Sequence, residues 1–266
     1  MGLGGHTAAL LEAGAGHVVG IDRDEAALAI ARERLAGFGD RVTFVHADYR
    51  SLRQVIAGLG RTAVDGVLVD LGVSSMQLDD AERGFSFRQD GPLDMRMDRS
   101  SGQPLSEWLA TVDEETLANV IYQFGEERRS RRVARAIVDA RAVAPILRTG
   151  ELATVVRRAV GGGWQRVDPA TRTFQALRIF INGELDGLEA FLEEAAGCLA
   201  PGGRMAVIAF HSLEDRIVKH TWRRMAQADA ATVRVVTKRP VVPGDDESGR
   251  NPRARSARLR VVERVA

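Results

Sequence analysis

A change of grammar along the chain most constrains its fold: short apolar strands alternate with helices, give way to helices alone, then return. His17 to Ile21, Val42 to His46 and Gly66 to Val69 are apolar runs of strand length. Thr7 to Ala13 reads as a helix before the first of them. Asp24 stands where a side-chain oxygen can cap a second helix running to about Leu35, with Gly37 just past its end. Strand-helix-strand alternation implies a parallel sheet with crossover connections, so the fold class is α/β. The near-continuous apolar run at Gly66 to Val69 predicts a strand covered on both faces.

From about Gly84 the strand signals stop. Gly84 to Asp98 is turn-rich, and Leu105 to Thr111, Glu114 to Phe124, Glu127 to Arg141 and Gly150 to Val160 carry helical patterns only. Gly161-Gly162-Gly163 breaks the chain, and Pro169 marks the approach to another helix. These features predict a helical insertion over residues 84–169, inside an α/β domain made of residues 1–83 and 170–266. Phe174 to Leu199 has helical spacing interrupted by Gly183 and Gly187. Pro201-Gly202-Gly203 turns into a strand at Arg204 to Phe210, and Leu213 to Met225 is a helix. Thr232 to Thr237 and Ala257 to Val262 are β-branched strands without a crossover helix between them, so an antiparallel hairpin is expected. The Pro-, Gly- and charge-rich segment Lys238 to Ser256 between them is expected to be mobile.

Composition narrows the function classes. With 266 residues and 45% of them hydrophobic, the chain can bury one large core or two modest ones, which excludes general disorder. A single cysteine, Cys198, excludes a disulfide framework and a Cys-based zinc cluster, and its apolar surroundings suit a buried small residue. His17, His46 and His220 lack ligand spacing, so no metal is expected. Neither a membrane-length apolar stretch nor a secretion signal is visible, so a cytoplasmic globular protein is expected.

Charge must be read by region, because 37 Lys and Arg nearly cancel 36 Asp and Glu. From Thr232 onward, nine basic residues face four acids, with Lys238, Arg239, Arg250, Arg253 and Arg255 gathered on one loop. The helix from Glu127 carries Arg128, Arg129, Arg131, Arg132 and Arg135, while Val133, Ile137 and Val138 supply its buried side. Such clusters suit phosphate contacts, although a basic helix face is often simply solvated. Phe85, Phe87 and Trp164 can either stack on a splayed base or serve as core aromatics.

Chemistry concentrates at strand ends. Gly2, Gly4 and Gly5 open a helix and Asp22 ends the next strand about 20 residues later, the pattern of a nucleotide site. Nicotinamide-dependent oxidoreductases and S-adenosylmethionine-dependent methyltransferases share it. The expected antiparallel final strand favours the methyltransferase sheet. Asp70, at the end of the strand through Val69, either touches cofactor or substrate or caps the following turn, and Gln77 offers a donor and an acceptor nearby. His211 and Glu214, past the strand ending at Phe210, are candidates for the acceptor pocket, with His211 equally suited to capping a helix.

Several strings are unusual enough to identify a family. Gly4 to His6 (GGH), Ile21 to Asp24 (IDRD), Asp70 to Ser75 (DLGVSS), Gln77 to Phe87 (QLDDAERGFSF), Asp90 to Asp98 (DGPLDMRMD), Pro169 to Gln175 (PATRTFQ), Phe210 to Lys219 (FHSLEDRIVK) and Asn251 to Ser256 (NPRARS) carry the likeness. Over essentially its whole length the chain resembles the bacterial 16S ribosomal RNA (cytosine-N4)-methyltransferase family. The resemblance implies a Rossmann-like methyltransferase sheet with an all-helical inserted substrate-recognition domain. It implies S-adenosylmethionine as donor and the N4 amine of a decoding-centre cytidine, in the 16S rRNA of the small ribosomal subunit, as acceptor. By position, it assigns Gly4, Gly5 and His6 to the donor's methionine part and Asp22 to its ribose. Tyr49 falls near the adenine, and Asp70 and Gln77 complete the donor site. Asp70 and His211 are the candidates for catalysis, and Lys238, Arg239, Arg253 and Arg255 for RNA contact.

The chain also departs from its family. Many amino-methyltransferases carry an Asp/Asn/Ser-Pro-Pro-aromatic motif where Asp70-Leu71-Gly72 stands here. Met1-Gly2 opens directly on the glycine loop, whereas family members have about a strand and helix more, including the first strand of the sheet. The expectation is therefore a start internal to a longer protein, or else a truncated chain that folds poorly and binds the donor weakly. A non-catalytic rRNA-binding assembly factor is the alternative function, and a nicotinamide-dependent oxidoreductase a further one.

Overall fold

Local chemistry sets the element boundaries over residues 1–161 and 167–265, which a computed structural model describes. The chain divides into two units, Met1–Gly72 with Leu185–Ala266, and Val73–Glu184. The first unit opens with α1 (Gly5–Glu12), β1 (Val18–Asp22), α2 (Glu25–Arg34), β2 (Val42–His46), α3 (Leu52–Gly58) and β3 (Val64–Asp70). The Asp24 carboxylate caps α2, accepting from Ala26 N at 3.1 Å and Ala27 N at 3.4 Å. That places Ala27, Leu28 and Ala31 on the buried side of the helix. β1 and β2 pair in parallel from Val18 opposite Val42 to Asp22 opposite His46. Leu11, Leu35 and Val42 form a small core with Val18, Phe38 and Phe44 packed against it.

The second unit holds α4 (Ser75–Asp79), α5 (Leu105–Thr111), α6 (Glu114–Gly125), α7 (Ser130–Val143), α8 (Thr149–Val160) and α9 (Ala170–Asn182). Its core gathers Leu109, Leu117, Ile121, Ile137, Val156 and Leu177. The segment before α5 is held by polar side chains rather than by regular secondary structure. Arg83 donates to Met97 O at 2.8 Å, while Asn182 accepts from Met97 N at 2.7 Å and donates to Met95 O at 2.8 Å. Met95 takes a φ of 62° within this clamp and is fully buried. A Cβ on Gly91 would lie 1.9 Å from Ala81 O, so only glycine fits that crossing of backbone on backbone.

The first unit resumes with α10 (Leu188–Gly197), β4 (Leu199–Ala209), α11 (Ser212–Gln227), β5 (Val233–Val235), α12 (Asp245–Arg250) and β6 (Arg258–Arg264). The second sheet runs β3-β4-β6-β5, with β3 and β4 parallel and β6 antiparallel to both of its neighbours. The hairpin expected from the absent crossover is thus present, and the chain is α/β. Leu188, Phe191 and Leu192 of α10 and Val218 and Trp222 of α11 cover Met205, Val207, Val233 and Val262 of this sheet.

Two expectations need correction. The helical unit runs from Val73 to Glu184, not 84–169, because Thr173, Phe174 and Leu177 turn the buried face of α9 into that unit. β3 is not covered on both faces: Asp65, Gly66 and Asp70 are exposed and only Val69 is buried. It is an edge strand, and among the described residues no strand joins it to β1. Lys238 to Ser256, the segment expected to be mobile, contains α12 and a 3-10 turn at Pro252–Ser256. Of the two roles open to the aromatics, Phe85 and Phe87 take the core one, Phe85 being buried and Phe87 packing edge-on to Phe174 at 4.7 Å, whereas Trp164 lies outside the described residues. Cys198 is buried, in line with its apolar surroundings.

A buried ion pair pins α11 to the sheet. Asp215 accepts from Arg260 Nε at 2.6 Å and Nη2 at 3.1 Å, and from Arg258 Nη1 at 3.1 Å. Burial pushes the carboxyl up, but the arginines outweigh it and hold it below the usual range. Replacing Asp215 by Ala leaves Arg260 buried without its partner and should cost about 3–5 kcal/mol in a urea unfolding titration. The pair's contribution is complete above the ordinary carboxylate pKa of about 3.9 and is lost as pH falls through the lowered value. A loss below about 1 kcal/mol would show the pair to be solvated.

Candidate functional site

The N-terminal turn shapes one side of the site. Gly4 has a φ of 82° and is the N-cap of α1, which has no side-chain cap. A Cβ there would lie 2.8 Å from Leu35 Cδ1, so a side chain is excluded by both conformation and space. At Gly5 a Cβ would meet nothing within 4 Å, which leaves open room beside the first turn. Uncapped N–H groups and the positive end of the helix dipole suit an anionic group there.

Two strand ends supply carboxylates. Asp22 ends β1 and accepts from Gly2 N at 2.7 Å, Asp24 N at 2.9 Å and the Met1 ammonium at 3.1 Å. Burial pushes this carboxyl up, but the ammonium and the two backbone N–H groups outweigh it and hold it below the usual range. Asp70 ends β3, is 44% exposed, and places Oδ2 3.3 Å from Nε2 of His6. The hydrogen bond to Asp70 raises the pKa of His6 against its partial burial. Gly4, Gly5, His6, Asp22 and Asp70 therefore share the α1 end of the first unit.

Tyr49 stands on the segment after β2. Its ring meets Phe191 edge-on at 4.6 Å, and burial pushes its hydroxyl up to about 12. A clamp that sequence reasoning missed surrounds it. Arg50 makes a two-pronged bond to Asp48 at 2.8 and 2.7 Å, donates to Asp186 O at 3.0 Å, and stands 5.8 Å from the tyrosine ring centre. The Asp-Tyr-Arg sequence was the available signal, but its bond to a residue 136 positions away has no local signature.

Gln77 belongs to the other unit. Its side chain forms a capping box with Ser74 at the start of α4, accepting from Ser74 N at 3.0 Å. His211 is the N-cap of α11. Its Nδ1 accepts from Glu214 N at 3.4 Å, and Glu214 Oε2 accepts from Phe210 N at 2.8 Å. Its Nε2 lies 3.2 Å from Glu214 Oε1 but out of line, and this buried nitrogen has no hydrogen-bond partner among the described residues. Capping engages the lone pair that a proton acceptor would need at Nδ1. Lys238, Arg239, Arg253 and Arg255 are all exposed. Among the described residues, no helix is long and apolar enough to cross a membrane.

Replacing Asp70 by Asn should return the His6 titration toward its ordinary value of about 6.5, read from the ring resonances by NMR. The pair stabilises fully below that ordinary value and fades as pH rises through the raised one. The variant should therefore differ more from the parent at about pH 6 than at about pH 9. An unchanged His6 titration would contradict the pairing.

The model of the MraW methylase family matches residues 1–265. The protein of Sorangium cellulosum named ribosomal RNA small subunit methyltransferase H is 56% identical over 269 residues, covering 100% of this chain and 83% of that protein. Proteins of the same name from Heliobacterium modesticaldum and Azorhizobium caulinodans are 47% and 51% identical. Those alignments cover 100% and 99% of this chain, and 90% and 80% of the respective proteins.

Proposed function

This chain belongs to the MraW methylase family, and on that premise we propose that it methylates the N4 amine of a decoding-centre cytidine in 16S rRNA of the small ribosomal subunit. S-adenosylmethionine is the donor, supplying an electrophilic methyl group on its sulfonium. The observation that carries the reading is the set of donors and acceptors at the α1 end of the first unit. The uncapped turn of α1 suits the donor's carboxylate, with room at Gly5 where a side chain would intrude. Asp22 is an acceptor for ribose hydroxyls, which would take the place of the Met1 ammonium. Tyr49, held by Arg50 and Phe191, offers an aromatic edge to adenine.

The acceptor amine is a poor nucleophile because its lone pair is delocalised into the ring. In-line positioning therefore supplies much of the rate. Asp70, exposed at the end of β3, can accept a hydrogen from the amine and so localise the lone pair, while His6 fixes the carboxylate's orientation. His211 acts as a positioning residue that fixes the start of α11 through Glu214. The helical unit recognises the RNA substrate, and Lys238, Arg239, Arg253 and Arg255 meet its phosphates. The reaction takes place in the cytoplasm. The antiparallel β6 between β4 and β5 counts against a nicotinamide-dependent oxidoreductase, whose sheet is built from two parallel halves.

The test is transfer of labelled methyl from S-adenosylmethionine to small subunits lacking the modification, followed by nucleoside digestion. Label in N4-methylcytidine is expected from a single site. Asp22→Ala should raise the donor Kd roughly tenfold or more, the loss expected for a hydrogen bond to a charged group. Asp70→Asn should lower kcat more than donor affinity. No label from a folded protein that still binds subunits would reject methyl transfer and leave the non-catalytic assembly factor.

A further inference from the structure

The outer face of the α6–α7 hairpin carries charge that the helical unit does not use. Arg128, Arg131 and Arg132 are exposed and, among the described residues, have neither a hydrogen bond nor an ion pair. They cluster at the start of α7, whose first turn holds no acidic residue. That is the positive end of the helix dipole, so each arginine there opposes the local field. The neighbouring acid is committed inward: Glu127 is buried, accepts from Arg129 N at 2.8 Å and lies 3.9 Å from Arg172. Arg129 in turn donates to Val160 O, fixing the corner beside the end of α8.

An aromatic stands on the same hairpin. Tyr122 is 61% exposed, among the most exposed large hydrophobics of the described residues. The ion pair between Glu114 and Arg135 at 3.4 Å sets α6 and α7 side by side in opposite directions. Tyr122 stands in the last turn of α6, six residues before Arg128 and across the short connection that leads into the first turn of α7. An exposed ring and exposed guanidiniums at one end of the same hairpin match what single-stranded RNA requires: cations for phosphates and a flat surface for one unstacked base.

We propose that Tyr122, Arg128, Arg131 and Arg132 form a docking surface for a single-stranded segment of the rRNA substrate, with the tyrosine stacking on a base and the arginines holding its backbone. The inference rests on the proposed rRNA substrate and deepens it by naming a recognition surface within the helical unit. Arginine is suited to this role because its planar fork both binds phosphate and stacks.

The test uses the full chain and a fluorescent, protein-free fragment of 16S rRNA containing the decoding-centre loop. Kd is measured across a salt series for the parent, for R128Q/R131Q/R132Q together, and for Tyr122→Ala and Tyr122→Phe. The triple variant should weaken binding and lower the salt slope by about two to three, one phosphate contact per arginine. Tyr122→Ala should weaken binding about tenfold with the slope unchanged, and Tyr122→Phe should restore it. A charge-matched control, R34Q/R61Q/R223Q on the first unit, separates this surface from net charge and should keep the parent slope. Parent-like Kd and slope in both sets of variants would overturn the proposal. So would a defect seen only on intact subunits, which would assign the surface to a ribosomal protein. Failure of the parent itself to bind S-adenosylmethionine, measured by calorimetry, would instead reject the underlying methyltransferase reading.

Discussion

The first unit depends on side chains to join two pieces of sheet that, among the described residues, share no backbone ladder. β1 and β2 form one pair, and β3, β4, β6 and β5 form the other sheet. Arg50 reaches Asp186 O at 3.0 Å, Arg53 meets Glu194 at 3.0 Å, and Tyr49 packs edge-on to Phe191. His6 and Asp70 close the opposite side at 3.3 Å. Each polar tie is half-exposed and individually worth little. Their joint effect is to set the distance between the ends of β1 and β3, where the candidate site lies. Under the proposed function the same residues serve structure and chemistry, so a change at His6 or Asp70 would touch both.

Within the helical unit the constraint is different. There the chain between α4 and α5 has almost no regular structure, and close backbone crossings and buried polar bonds replace it. Gly84, with a φ of 72°, leaves no room for a Cβ beside Pro92 O, and Gly91 none beside Ala81 O. Asn182 binds both sides of the Met95–Met97 turn from the end of α9. This explains why α9 belongs with the helices that precede it: its last residue completes the turn that its buried face covers.

Local signals were legible in the sequence, and long-range ones were not. Asp24 announced the start of α2, β2 spans the residues its apolar run marked, and the missing crossover announced the hairpin of β5 and β6. Periodicity identified α9 as a helix but could not say which core Phe174 and Leu177 would join. An apolar run likewise told that β3 is a strand, not that its neighbour lies on one side only. Within Lys238 to Ser256, overall polarity hid α12, although Asp245, Asp246 and Glu247 form the acidic first turn that favours a helix start. At the site, Asp22 and Asp70 were readable because strand ends are where α/β sheets bind ligands. The Arg50 clamp was invisible because its partner is Asp186, and the capping role of His211 shared its sequence signal with catalysis.

The proposed donor site lies where α1 meets the ends of β1 and β3. The most direct measurement is a titration of S-adenosylhomocysteine into isotopically labelled protein, followed by NMR. The largest shifts should fall on the amides of Gly4, Gly5 and His6, on Asp22 and Asp70, and on the ring of Tyr49, with Arg131 and Arg132 unmoved. Saturable binding that leaves Gly5, Asp22 and Asp70 unshifted while perturbing residues elsewhere would contradict it.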